Sequence, residues 1–136
     1  MNHWLRGKLS VIRTKSVDSA INHQEDGLRI LATRFRGRGM PTNRYHVWMP
    51  NLAPSEDLLR ANISWPEFRR RYLKELREGG SIDKRNRTIK NHGQKFTLRL
   101  LQKLGSRQNV TLMCHCAEDE VECHRHLLEK VLKSNI

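Results

Sequence analysis

Residues 109–116, NVTLMCHC, constrain the chain more than any other stretch. The run is continuously apolar through its middle, the pattern of a strand covered on both faces. A strand of that kind needs a sheet around it and helices over the sheet. The next residues supply one such helix. Asp119 is a good N-cap with Glu122 three residues on, which predicts a helix from about 120 to 133 with the acidic run Glu118–Glu122 at its start. At about 100° per residue, Val121, Leu127, Leu128, Val131 and Leu132 share one inward arc, with His124 at its middle. Cys123 and Arg125 flank that arc, while His126, Lys130 and Lys133 point outward. Cys114 and Cys116 share a face at the carboxyl end of the strand, and ligands of open α/β sheets bind at such ends.

The remaining segments fit the same architecture. KLSVIRTKSV (8–17) reads as a strand and NHQEDG (22–27) as a turn. LRILATRF (28–35) reads as a second strand, with Leu28, Ile30 and Ala32 facing one way and Arg29, Leu31 and Thr33 the other. Arg34, Arg36, Arg38 and Arg44 then surround Gly37 and Gly39 in a loop that lets guanidinium groups converge. Ser55 predicts a short helix over 56–61. Ser64, Pro66 and Glu67 predict another, with Trp65, Phe68, Tyr72 and Leu76 as its buried stripe. Arg69, Arg70, Lys74 and Arg77 lie largely off that stripe, and Gly79–Gly80 stop the helix. SIDKRNRTIKNHG (81–93) reads as an exposed basic insertion. Phe96, Leu100, Leu101 and Leu104 mark an amphipathic helix ended by Gly105. No repeat or linker divides the chain. The expectation is one small α/β domain over 1–136, with a central mixed, mostly parallel sheet flanked by helices.

Charge is distributed unevenly. Residues 1–109 carry 23 Lys/Arg against 9 Asp/Glu, whereas residues 110–136 carry 3 against 5. The net charge of +12 therefore belongs to the body of the domain and favours polyanionic partners. The opening MNHWLRGKLSVI has no apolar core of a secretion signal, and no run approaches the roughly 18 apolar residues of a membrane span. An odd cysteine count does not suit a secreted disulfide framework. A cytoplasmic protein without a membrane partner is expected.

Several chemistries compete for the cysteine segment. Cys114, Cys116 and Cys123 with His124 or His115 form a thiolate and imidazole set that suits zinc, although Cys-x-Cys-x6-Cys-His is no standard finger or ribbon spacing. Cys123, near a helix N-terminus and beside Arg125, is a candidate thiolate. A phosphatase-like or rhodanese-like loop is disfavoured: HCAEDEVE is acidic and glycine-free, and no arginine follows Cys116 at the spacing of an anion cradle. Strand spacing disfavours a Cys114–Cys116 disulfide, whereas Cys123 can reach either cysteine. Packing alone, with a histidine satisfied by a carbonyl, is the bland alternative.

Over about residues 11–133 the chain resembles the YeaO-like proteins of domain-of-unknown-function family 488. The likeness rests on DGLRILATRFRGRG, on LAPS at 52–55, on Trp65, Phe68, Tyr72 and EL at 75–76, and on VTLMC with ECHRHLL. Arg34, Arg38 and Gly39 match the family's arginine–glycine run, and Cys123, His124 and Arg125 match its Cys-His-Arg triplet; Thr33, Arg36 and Gly37 depart from it. The resemblance implies a compact cytosolic α/β domain whose pocket lies where the arginine loop meets the Cys-His-Arg helix. It implies no particular reaction.

The expected site has Cys123, Cys114 and His124 as catalytic candidates and Arg34, Arg38 and Arg125 as ligand-binding groups. The expected activity is binding of an anionic small molecule, a nucleotide among the candidates, with thiol chemistry at Cys123 or Cys114. Two alternatives stand beside it. One is a non-specific nucleic-acid-binding protein that uses the basic helix 69–77 and the insertion 81–93. The other is a structural zinc site at Cys114, Cys116, Cys123 and His124. The sequence specifies no cofactor and no oligomeric state.

Overall fold

A computed structural model of the chain describes residues 11–77 and 93–134. Its strands are β1 (Ile12–Ser16), β2 (Leu28–Leu31), β3 (Val47–Trp48) and β4 (Val110–Cys114). They form one sheet in the order β1-β4-β2-β3. Every pairing among them is parallel, so the antiparallel component of the expected mixed sheet is not found among the described residues. β4 lies between β1 and β2, and Ile12 and Leu28 both pair with Val110. All five residues of β4 are buried, as its unbroken apolar pattern requires.

Among the described residues, five α-helices connect and cover these strands: α1 (His23–Asp26), α2 (Glu56–Arg60), α3 (Trp65–Arg77), α4 (Gly93–Gly105) and α5 (His124–Leu132). The expected turn at 22–27 is the single helical turn α1, because the Asn22 side chain accepts the Glu25 N–H. Gly27 closes it at φ 60°, where an added Cβ would lie 2.1 Å from the Asn109 carbonyl oxygen. β2 ends at Leu31 rather than near Phe35, and beyond it the Thr33 hydroxyl folds onto the Phe35 carbonyl at 2.6 Å.

Ser55 caps α2 as its position predicts, accepting the Leu58 N–H at 3.2 Å. Ser64 accepts the Glu67 N–H at 3.4 Å, but Glu67 turns its carboxylate to Arg70 at 2.6 Å and Arg71 at 2.9 Å. Only half of that capping box therefore forms. In α3, Tyr72 and Leu76 are buried, and Trp65 stacks on Phe68 with ring centroids 5.4 Å apart. Gly79–Gly80 and the insertion, apart from Gly93, lie outside the described residues.

α4 corrects an expectation about its inward face. Leu98 and Leu101 are buried, with Leu104 packed against the core, while Phe96 and Leu100 are exposed. The neighbours set the rotation. Gln94, fully buried, donates to the Asn51 carbonyl at 2.7 Å, and Ile12 packs so tightly on Gly105 that a Cβ there would lie 2.7 Å away.

The sheet's two faces differ. On one, Ile12, Ile30, Ala32, Val110 and Leu112 pack with Tyr72, Leu76, Leu98, Leu101, Leu127, Leu128 and Val131 of the helices. The other carries the smaller apolar group Val17, Leu31, Tyr45 and Met113. Polar groups accompany it: Lys15 pairs with buried Asp26 at 2.9 Å, and Arg29 donates to the Arg44 and Asn43 carbonyls. No helix among the described residues is long and apolar enough to cross a membrane.

Candidate functional site

The candidate site lies where β4 ends and α5 begins. α5 starts at His124 with Cys123 as the extended N-cap residue, not near 120. Asp119 caps no helix, and Val121 is 77% exposed instead of facing inward. Arg125 accounts for the difference. It is fully buried, and its guanidinium donates to the carbonyls of Cys116 (3.3 Å), Ala117 (3.1 Å) and Glu118 (3.0 Å). Three successive carbonyls turned toward one side chain hold residues 115–123 as a loop, which overrides the local capping signal. Glu118 pins the loop to β1: its carboxylate accepts the Ser16 N–H at 3.1 Å and the Ser19 hydroxyl, and faces Arg125 at 3.7 Å.

The same guanidinium reaches the Cys114 sulfur at 3.0 Å. The Cys116 N–H points at that sulfur from 3.3 Å, and the Cys123 sulfur lies 3.0 Å from it. All three cysteines are free, and their sulfurs lie within 4.8 Å of one another. Cys114 and Cys123 are buried, and Cys116 is partly exposed. Of the expected site residues, Cys114, Cys123 and Arg125 thus lie together where β4 ends, with His124 next to Cys123 as the first residue of α5.

Donors converge on one sulfur, and this sets the ionisation. The hydrogen bond from Cys123 is the largest influence on Cys114; it outweighs burial and, with the Cys116 N–H and the Arg125 charge, lowers the thiol to about 5. Cys123 moves the opposite way, because its proton is held in that bond and its sulfur is buried. Burial raises Cys116. The helix-start position singled out Cys123 as the thiolate, but the stabilising groups meet at Cys114.

His124 is clamped beside the pair. Its Nε2 lies 2.6 Å from the Ala32 carbonyl, which can only accept, so Nε2 carries the proton. Its ring meets Tyr72 edge-on at 5.7 Å, and the Tyr72 hydroxyl donates to the Leu52 carbonyl at 2.5 Å. Burial lowers the His124 pKa, which favours the neutral ring and leaves only Nδ1 with a lone pair.

The family model described as the active DUF488-N3 subclade, DUF488-N3a, matches residues 12–136. The chain belongs to the DUF488 family. No curated protein and no solved structure matches it significantly.

In this DUF488 chain the other expected site residues have separate placements. Arg34 directs its guanidinium to the Ala53 and Pro54 carbonyls, both at 3.1 Å. Arg38 is exposed and has no hydrogen bond or ion pair among the described residues. The two loops touch through His115, whose Nε2 lies 3.0 Å from the Phe35 carbonyl. Gly37, at φ 89°, allows this approach, since a Cβ there would come within 3.1 Å of the His115 ring. Sequence reasoning missed Glu118 and Tyr72 as supports of the site. The acidic run and the aromatic stripe marked both residues, but for other roles.

Proposed function

We propose that this DUF488 protein acts by thiol chemistry at Cys114 on an anionic ligand bound at the carboxyl edge of the sheet. One observation carries the proposal: a fully buried guanidinium and a backbone N–H both aim at the Cys114 sulfur, with the Cys123 thiol as a third donor. Such surroundings favour a thiolate, the reactive form in nucleophilic attack and in disulfide exchange. The arginine-rich loop hooked to His115 supports an anionic ligand. Cys114 is only 1% exposed, so the attacking partner is small or enters as the 115–123 loop opens.

Thiolate absorbance near 240 nm tests this without requiring a reagent to enter. Titration of the intact protein should show a one-thiolate step near pH 5, where Cys114 is placed. Cys114→Ala should remove the step, and Cys123→Ala should move it to higher pH by deleting the principal donor. A protein with no thiolate step below pH 7 would overturn the proposal.

The sulfur triangle supports a second role, a thiolate metal site. A tetrahedral zinc holds its sulfurs about 3.8 Å apart; here the three lie within 4.8 Å of one another, with Cys114 and Cys123 at 3.0 Å, so the closest pair would have to spread to take the ion. His124 could add only Nδ1, since Nε2 is on Ala32. Stoichiometric zinc in the purified protein, with thiols that react only after chelation, would favour this role over a free Cys114 thiolate.

A further inference from the structure

The segment that leads out of β2 and through β3, whose arginines the anionic-ligand reading also draws on, carries exposed aromatic rings that the cysteine chemistry does not use. Residues 33–48 contain four arginines and no carboxylate. Arg34 and Arg44 are engaged with backbone carbonyls, the latter with Val17 at 2.6 Å and Ser19 at 2.5 Å. Arg36 and Arg38 remain exposed. Two large aromatic side chains accompany them: Phe35 is 54% exposed and Trp48 is 38% exposed. The Trp48 indole is fixed by donating to the Thr33 carbonyl at 2.8 Å. Arg36 lies 5.8 Å from the centre of the Trp48 ring and donates to the Tyr45 hydroxyl at 3.3 Å. Phe35 is also fixed through its backbone, since its carbonyl receives the Thr33 hydroxyl and approaches His115.

Fixed, open aromatic rings interleaved with uncompensated arginines are the components of a base-stacking surface. We infer that Phe35, Trp48, Arg36 and Arg38 form a docking surface for single-stranded nucleic acid. Bases stack on the two rings, and phosphates lie against the two guanidinium groups. Ring faces can be used only by unpaired bases, which excludes a duplex as the preferred partner. A free mononucleotide site would be concave and would bury most of its ligand, whereas these rings stand open. The +12 net charge suits a polyanion long enough to cover more of the surface. This assignment stands independently of the Cys114 proposal, since its readout is binding.

The experiment is fluorescence anisotropy with labelled mixed-sequence 20-nucleotide single strands and the matching duplex, at several salt concentrations. Phe35→Ala and Trp48→Ala should each weaken single-strand binding about tenfold, the loss of one stacked base. Trp48→Phe keeps a ring and should bind within a few fold of wild type, which separates stacking from loss of the Thr33 hydrogen bond. Arg38→Gln should reduce the log–log salt slope by about 0.7, one single-strand phosphate. Phe96→Ala is the control: that ring is 59% exposed on α4 with Arg99 at 5.8 Å, and its loss should leave binding unchanged. Equal affinity for strand and duplex would overturn the assignment. So would equal losses in Phe35→Ala and Phe96→Ala, or competition by a mononucleotide at the strand's own concentration.

Discussion

Two loops leave the same edge of the sheet, and both are organised by arginine, with opposite results. In the loop after β4, the guanidinium of Arg125 is enclosed, with three carbonyls and a sulfur as its acceptors. In the loop after β2, Arg34 and Arg44 bind carbonyls of neighbouring segments and leave the tip, with Phe35, Arg36 and Arg38, in solvent. Arginine beside glycine in a sequence suggests an anion clamp. Here most guanidinium groups hold backbone, because loops at a sheet edge expose carbonyls that need donors. What remains for a ligand is the residue after those demands are met. One loop thus becomes a closed centre around a thiol, and the other an open surface.

The largest test of this contrast is removal of Arg125. Arg125→Leu keeps much of the volume but strands three inward carbonyls and the Cys114 thiolate. Breaking a buried charged contact of this kind costs about 3–5 kcal/mol, and urea unfolding should show a loss of that order. Arg125→Lys retains charge without the planar fork and should fall between Leu and wild type. A loss below about 1 kcal/mol for Arg125→Leu would place this arginine in the same class as an exposed one and erase the contrast.

The closed loop should also reveal itself through pH. Cys114 is lowered to about 5 in the folded protein, against about 8.5 for a free thiol. Between these values the unfolded chain binds the extra proton, so stability from the thiolate is complete above pH 8.5 and is lost as pH falls to 5. Cys123 is raised, and its contribution has the opposite sense: present below about pH 8.5, lost above it as the unfolded thiol ionises. Thermal melts from pH 5 to 8.5 should show the Tm advantage of wild type over Cys114→Ala growing with pH. A gap that stays constant over this range would reduce Cys114 to packing.

How much of this was legible in the sequence depends on the reach of each signal. β4 was legible because an unbroken apolar run has few other homes, and its position put Cys114 at the end of an interior strand. The Tyr72 and Leu76 stripe was legible from period alone. The start of α5 was not, since capping statistics concern a few residues, whereas Arg125 acts on the chain seven to nine positions earlier. For the same reason helix-start geometry pointed to Cys123 while the guanidinium reached back to Cys114. In α4 two apolar registers were available, and Gln94 on Asn51 with Ile12 on Gly105 selected between them. The identity of an arginine's acceptor is a tertiary fact, absent from composition and spacing.

The smallest expected effect separates two arginines of one loop. Arg34→Ala removes two charge-assisted bonds to the Ala53 and Pro54 carbonyls, just before the Ser55 cap of α2. Water reaches this partly exposed site and replaces some of what is lost, so the expected destabilisation is about 1–2 kcal/mol. Arg38→Ala removes a side chain with no such acceptor among the described residues, and its effect on stability should stay within about 0.5 kcal/mol. Urea unfolding of the two variants side by side measures the difference, and strand binding supplies the complementary axis. Arg38→Ala should weaken binding in a salt-dependent way at unchanged stability, whereas Arg34→Ala should lower stability with the salt slope preserved. If both arginines moved both quantities equally, the division between guanidinium groups that hold backbone and those left for a ligand would not describe this loop.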